Sequence, residues 1–146
     1  MTHLRGLPSA TIVCALLIGC ATGLHEQRPL PGQSAVISGV VIRNELPCPV
    51  MDVMIEVPAT GGFAGCGNIL PSSECRNTFQ DRDYRPNAVL IRWMEHGQPH
   101  QTDPFRLELP PSASPGDAFH VEVVIFAPGQ AGARLVDAKA ESVRSR

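Results

Sequence analysis

The sequence predicts an all-β fold, an antiparallel two-sheet sandwich of about seven strands, with a small closed β-barrel as the competing architecture. Three observations lead there. Apolar residues recur at every second position in one segment after another, which is the period of a half-buried strand. Turn chemistry separates these segments at short intervals, with 13 Gly and 14 Pro in 146 residues. No helix-period stretch of ten or more residues competes, and nothing has the strand–helix–strand spacing of a parallel sheet.

Each element has its own warrant. Residues 36–43 are β-branched and apolar on both faces. In residues 51–57, Met51, Val53, Ile55 and Val57 share one face while Asp52, Met54 and Glu56 take the other. Residues 75–79 form a shorter candidate. Residues 87–94 are again apolar on both faces and end near the lone Trp93, a side chain of the right bulk to fill the gap between two sheets. Phe105, Leu107 and Leu109 alternate with Arg106 and Glu108. Phe119, Val121, Val123 and Ile125 alternate with His120, Glu122, Val124 and Phe126, so His120 is expected to face solvent. Residues 133–137 supply the last strand. Turns are expected at residues 47–49, Gly61-Gly62, residues 71–73, 97–99 and 110–116, and Pro128-Gly129. All seven aromatics lie between Phe63 and Phe126, and that stretch is expected to supply the bulk of the core. The folded domain is placed at residues 34–137, followed by a polar tail at 138–146.

The first 20 residues carry a different signal. Arg5 precedes an apolar run at residues 7–18, 12 residues long and too short for a bilayer, which needs ~20. Its end, Leu17-Ile18-Gly19-Cys20, resembles the lipobox of bacterial lipoproteins. That resemblance implies cleavage between Gly19 and Cys20, a diacylglyceryl group on the Cys20 thiol and acylation of the new amine. Residues 1–19 are then a signal peptide and residues 20–33 a lipidated tether, Pro- and Gly-rich at its end. Several acyl chains at ~0.8 kcal/mol per buried methylene make such an anchor effectively permanent. Ala21, not Asp, follows Cys20, which by resemblance to the sorting pattern of enteric-type lipoproteins implies the outer membrane; the domain is expected to face the periplasm.

The block 36–109, with its Val-Ile-Arg-Asn strand end and Ile-Leu-Pro-Ser-Ser-Glu before another strand, loosely resembles immunoglobulin-like envelope domains. The resemblance implies an immunoglobulin-like strand arrangement and brings no catalytic residues with it.

Cys14 leaves with the signal and Cys20 is consumed by lipid, so Cys48, Cys66 and Cys75 remain of the five cysteines. Export implies an oxidising compartment, and the turn-rich loop between Cys66 and Cys75 favours their pairing, leaving Cys48 as a free thiol. An alternative makes Cys48, Cys66 and Cys75 thiolate ligands for zinc or copper with a histidine completing the set, copper being favoured because thiolate and imidazole both suit it. No Cys-x-x-Cys pair announces such a site, and no metal or cofactor is expected. His96 and His100 bracket Gly97-Gln98-Pro99, a sequence that forbids a helix and reads as a hairpin loop bearing exposed histidines; a surface metal site with Cys48, His96 and His100 is the alternative.

Asp81-Arg82-Asp83-Tyr84-Arg85 reads as a salt-bridged loop, in which Tyr84 has the option of bonding backbone across a sandwich corner. The glycine-rich run 61–67 lacks the Lys-Ser/Thr end of a phosphate-binding loop and is expected to be a flexible loop or bulge, with Phe63 as an exposed partner contact. No nucleophile elbow and no base-activated cysteine is visible, so an enzyme is not expected. A formal net charge of −2 and a single lysine, Lys139, argue against nucleic acid, which is gripped by clustered cations. The expected function is a lipid-anchored, non-catalytic binding or assembly module whose partner is an envelope protein or glycan; the alternative is a metal-binding or metal-delivery lipoprotein.

Overall fold

The computed structural model describes residues 35–139. The signal, the lipobox with Cys20 and the tether lie outside the described residues, as does the tail beyond Lys139. Nine strands run in chain order: β1 Val36–Asn44, β2 Val50–Val57, β3 Gly62–Cys66, β4 Ser73–Asp83, β5 Ala88–Glu95, β6 Gln98–Gln101, β7 Phe105–Arg106, β8 Ala118–Ala127 and β9 Gln130–Asp137. They form two sheets, one ordered β4-β1-β8-β9 and the other β3-β2-β5-β6 with β7 paired to β5. This is an open sandwich, not a barrel. No helix among the described residues is long and apolar enough to cross a membrane.

All seven expected strands are present, and two more come from segments expected to be loops. β3 occupies most of the glycine-rich run, because Gly65 lets it lie against β2: a Cβ there would collide with the Val53 carbonyl oxygen and approach Met54 Cα to 3.0 Å. β6 is the return strand of a tight hairpin whose turn is His96-Gly97, both in the left-handed region at φ 50 and 72°. β6 lies at a sheet edge, where Pro99 costs no ladder bond. The sandwich also departs from all-antiparallel pairing, since β1 runs parallel to β8. The two are far apart in sequence and the chain between them builds the second sheet as well as β4, which provides the long crossover that parallel neighbours need.

Phe119, Val121, Val123 and Ile125 on β8 and Val89, Ile91 and Trp93 on β5 interdigitate with Val40 and Ile42 on β1 and Val53 and Ile55 on β2. The core is mainly aliphatic. Of the seven aromatics only Trp93 and Phe119 are fully buried, while Phe63 and Phe126 are exposed, because each of these two falls on the outward phase of its strand. Met51 also departs from expectation. A bulge at Asp52, φ 51°, shifts the register of β2 between Met51 and Met54, so Val50 takes the core position and Met51 is exposed. The phase on β8 is as expected, although His120 is half-buried against Gly39 instead of fully solvated.

Residue 35 and the end of β9 lie at one end of the sandwich, where Val36 pairs with Ala118 and Phe119 with Asp137. The β1–β2, β5–β6 and β8–β9 connections lie at the other.

Candidate functional site

Two regions concentrate unusual features. The first is the open side of the sandwich between β3 and β4, which are edge strands of opposite sheets. The Cys66–Cys75 disulfide joins them, with Cα atoms 6.4 Å apart, and Asn77 Nδ2 donates to the Gly65 carbonyl at 3.4 Å beside it. Beyond this staple the two edges are not paired to each other, and a cavity of about 960 Å³ opens between the sheets. Its floor is apolar core, including Val40, Ile55, Val89 and Leu107. That volume lies in the range of small-ligand pockets, ~300–1,000 Å³.

Phe63 stands on the rim with 73% of its surface exposed. The residues two before and two after it are Gly61 and Gly65, and its cross-strand partner is Glu56, so it has no apolar side chain beside it on that face to fold against. The other rim is the end of β4. The salt-bridged loop expected at residues 81–85 is absent: β4 runs through Asp83, pairing Ile37 with Arg82 and Val36 with Asp83, so successive charges point to opposite faces. Among the described residues no ion pair involves Asp81, Arg82, Asp83 or Arg85. Tyr84 does anchor the corner, its Oη donating to the Leu107 carbonyl 23 residues away. Burial, reinforced by Glu108, raises the Tyr84 pKa above its ordinary value, so the phenol stays a donor at neutral pH.

The second region is the end of the sandwich remote from residue 35. Buried Asn44 closes β1 and holds the crossover to β2. Its Nδ2 donates to the carbonyls of Cys48 at 2.8 Å, Ile69 at 3.1 Å and Leu70 at 3.1 Å, while its Oδ1 accepts the Leu46 N–H at 3.0 Å. Cys48 is thereby fixed, half-buried, with a free thiol. Across from it, the inward phase of β5 runs Val89, Ile91, Trp93, Glu95, which carries a carboxylate to the end of the core. Glu95 is 4% exposed. Its Oε2 accepts the Gly129 N–H at 3.0 Å and the Trp93 Nε1–H at 3.4 Å. The Gly129 hydrogen bond is the main reason its pKa lies below the ordinary value, with burial opposing it and Trp93, His100 and His96 assisting.

The structure thus brings Cys48 and His96 together with Glu95, their nearest ligand atoms all lying within 4.8 Å of one another. His100 is not part of that group. It stacks on the Trp93 ring, centroids 5.4 Å apart and planes 19° apart, with Nδ1 close to Gly129. Glu95 is the residue that reading the sequence missed. The alternation of the strand it ends contains the signal, since it is in phase with three core residues. No protein-family model, curated protein or solved structure matches the chain.

Proposed function

We propose that the protein is a lipid-anchored, non-catalytic binding module of the cell envelope, tethered through Cys20 to the periplasmic face of the outer membrane, and that its partner is an envelope protein. The partner presents an extended apolar segment to the opening between β3 and β4. The observation that carries this reading is the apolar inter-sheet cavity with solvent-facing Phe63 on its rim, beside a β3 edge that, among the described residues, pairs with no strand on its outer side and carries the Asn77 bond at Gly65. A free edge next to apolar pockets is the physical basis of strand addition, in which main-chain bonds give affinity and alternate side chains give specificity. Confinement to a membrane surface raises local concentration, so a modest intrinsic affinity suffices. The lipobox supplies the localisation half of the reading.

Two measurements test it. Radiolabelled fatty acid should enter the wild-type chain in its native host and not Cys20→Ser; equal labelling of both refutes the anchor. A photocrosslinking residue in place of Phe63 should give a single adduct whose mapped site is an apolar segment of an envelope protein, while the same residue in place of exposed Phe126 gives none. Equal adducts at both positions, or none at 63, refute the binding site.

A further inference from the structure

We propose that Cys48, Glu95 and His96 form a zinc-binding site with one coordination position left open. The ligand set is a thiolate, a carboxylate oxygen and an imidazole nitrogen, each a normal zinc ligand, and three protein ligands with an open fourth position is the pattern of reactive zinc sites. The three ligand atoms already lie within 4.8 Å of one another. Tetrahedral bonds of ~2.0–2.3 Å place ligand atoms roughly 3.5 Å apart, so the set must close by about 1 Å. His96 supplies that movement, because its side chain is exposed on a turn while the other two ligands are held.

The holding is the second line of argument. Both hydrogen bonds to Glu95 fall on Oε2, from Gly129 N–H and Trp93 Nε1–H, so they orient the carboxylate without consuming Oε1. The Asn44 amide fixes the backbone of Cys48 in the same way. Outer partners that lock a ligand's orientation are a regular feature of metal sites. The turn is the third. Its first left-handed position favours Asn, Asp or Gly, yet it carries His96 at φ 50°. There the exposed His96 side chain offers a ring nitrogen within 4.8 Å of the Cys48 sulfur and a buried Glu95 carboxylate oxygen.

The charges also balance. Zn²⁺ with a thiolate, a carboxylate and a neutral imidazole is a neutral assembly, which half-buried surroundings tolerate better than an unpaired ion. Zinc is favoured over copper because Cu²⁺ oxidises an accessible thiol, whereas zinc is redox-inert.

The test uses the purified full chain, with the Cys66–Cys75 disulfide intact and Cys48 reduced. Co²⁺ is the spectroscopic probe and Zn²⁺ is titrated against a chromophoric chelator. The expected result is one ion per chain and a thiolate-to-Co²⁺ charge-transfer band that Zn²⁺ erases. Cys48→Ser should abolish the band. His96→Asn, which suits the turn and keeps the fold, should weaken Zn²⁺ by at least the ~10–100-fold that loss of an outer partner costs. His100→Ala should retain the site. Absence of a charge-transfer band, or equal Zn²⁺ affinity in the wild type and His96→Asn, overturns the assignment.

Discussion

Replacing Asn44 with alanine removes four hydrogen bonds from a residue that is 1% exposed, and their costs differ according to what each partner does afterwards. The Ile69 carbonyl still accepts the Val50 N–H at 3.1 Å, so it is not orphaned. The Cys48 and Leu70 carbonyls lie in partly exposed surroundings, and water replaces the amide at a net loss of ~0.5–1 kcal/mol each. The Leu46 N–H is buried and its acceptor is gone, a penalty of ~1–3 kcal/mol. Together these give ~2–5 kcal/mol, which for a domain of this size lowers Tm by roughly 8–25 °C. Urea unfolding followed by the fluorescence of Trp93 measures the loss directly, provided the slope with denaturant is unchanged. Asn44→Asp sharpens the test. It keeps the acceptor for Leu46 but faces three carbonyls with a negative charge, so it should be at least as unstable as Asn44→Ala at neutral pH and should recover as the carboxyl is protonated. A loss below ~1 kcal/mol for Asn44→Ala, or an Asp variant as stable as wild type, would refute the idea that this amide ties the end of the sandwich together.

Three further outcomes follow from the same geometry. Cys66→Ala with Cys75→Ala opens a loop of about ten residues and should cost ~2.7 kcal/mol by chain entropy, read as a lower urea midpoint, with greater binding of an apolar dye as the unstapled edges separate. Glu95 has a folded-state pKa below its ordinary 4.5, so its contribution is fully present above that value and is lost as pH falls through the depressed one. Glu95→Gln should therefore be less stable than wild type at pH 6 and show a flatter acid limb in a stability–pH profile. Tyr84→Phe removes the bond to the Leu107 carbonyl and should cost about 1 kcal/mol, and hydrogen exchange should report the loosening at residues 105–109, not at the far end of the sandwich.

Much of the fold is legible in the sequence because one face of most strands is buried, and a period of two can be read without knowing the partners. β8 is the clearest instance: its four inward residues are the four expected. What escapes the pattern is set by tertiary neighbours. β3 has only one non-glycine apolar side chain of any size, and it becomes a strand because β2 offers an edge that only a glycine at position 65 allows it to approach. The phase of β2 breaks at Asp52, where one residue in the left-handed region flips the preceding side chain outward, and a local sequence rule cannot register that shift. At the candidate metal site Cys48 and His96 were visible as donor types. Their meeting depends on which loops share an end, and Glu95 lies one residue beyond the segment 87–94 that the alternation marks as strand.

The architecture also accounts for why the two candidate regions differ in character. Closing the sheets into a barrel would require β3 to pair with β4, yet β3 has five residues and β4 has eleven. Pairing could satisfy at most the part of β4 next to the disulfide, and that is where the staple and the Asn77 bond sit. The remainder of β4 continues alongside β1 toward residue 83 with no strand opposite it among the described residues, so the gap is a consequence of strand length and its width is pinned at one end only. A partner entering there meets a rigid end and an adjustable one. The far end of the sandwich has the opposite construction, with Asn44 joining the β1–β2 and β3–β4 connections and Glu95 joining the end of β5 to the β8–β9 turn, each through hydrogen bonds to backbone. Two held donors with a third free to close on them suit an ion with fixed bond lengths, and a gap of adjustable width suits an apolar segment. On the proposed reading the ion and the partner therefore occupy separate places, and loss of either should leave the other intact.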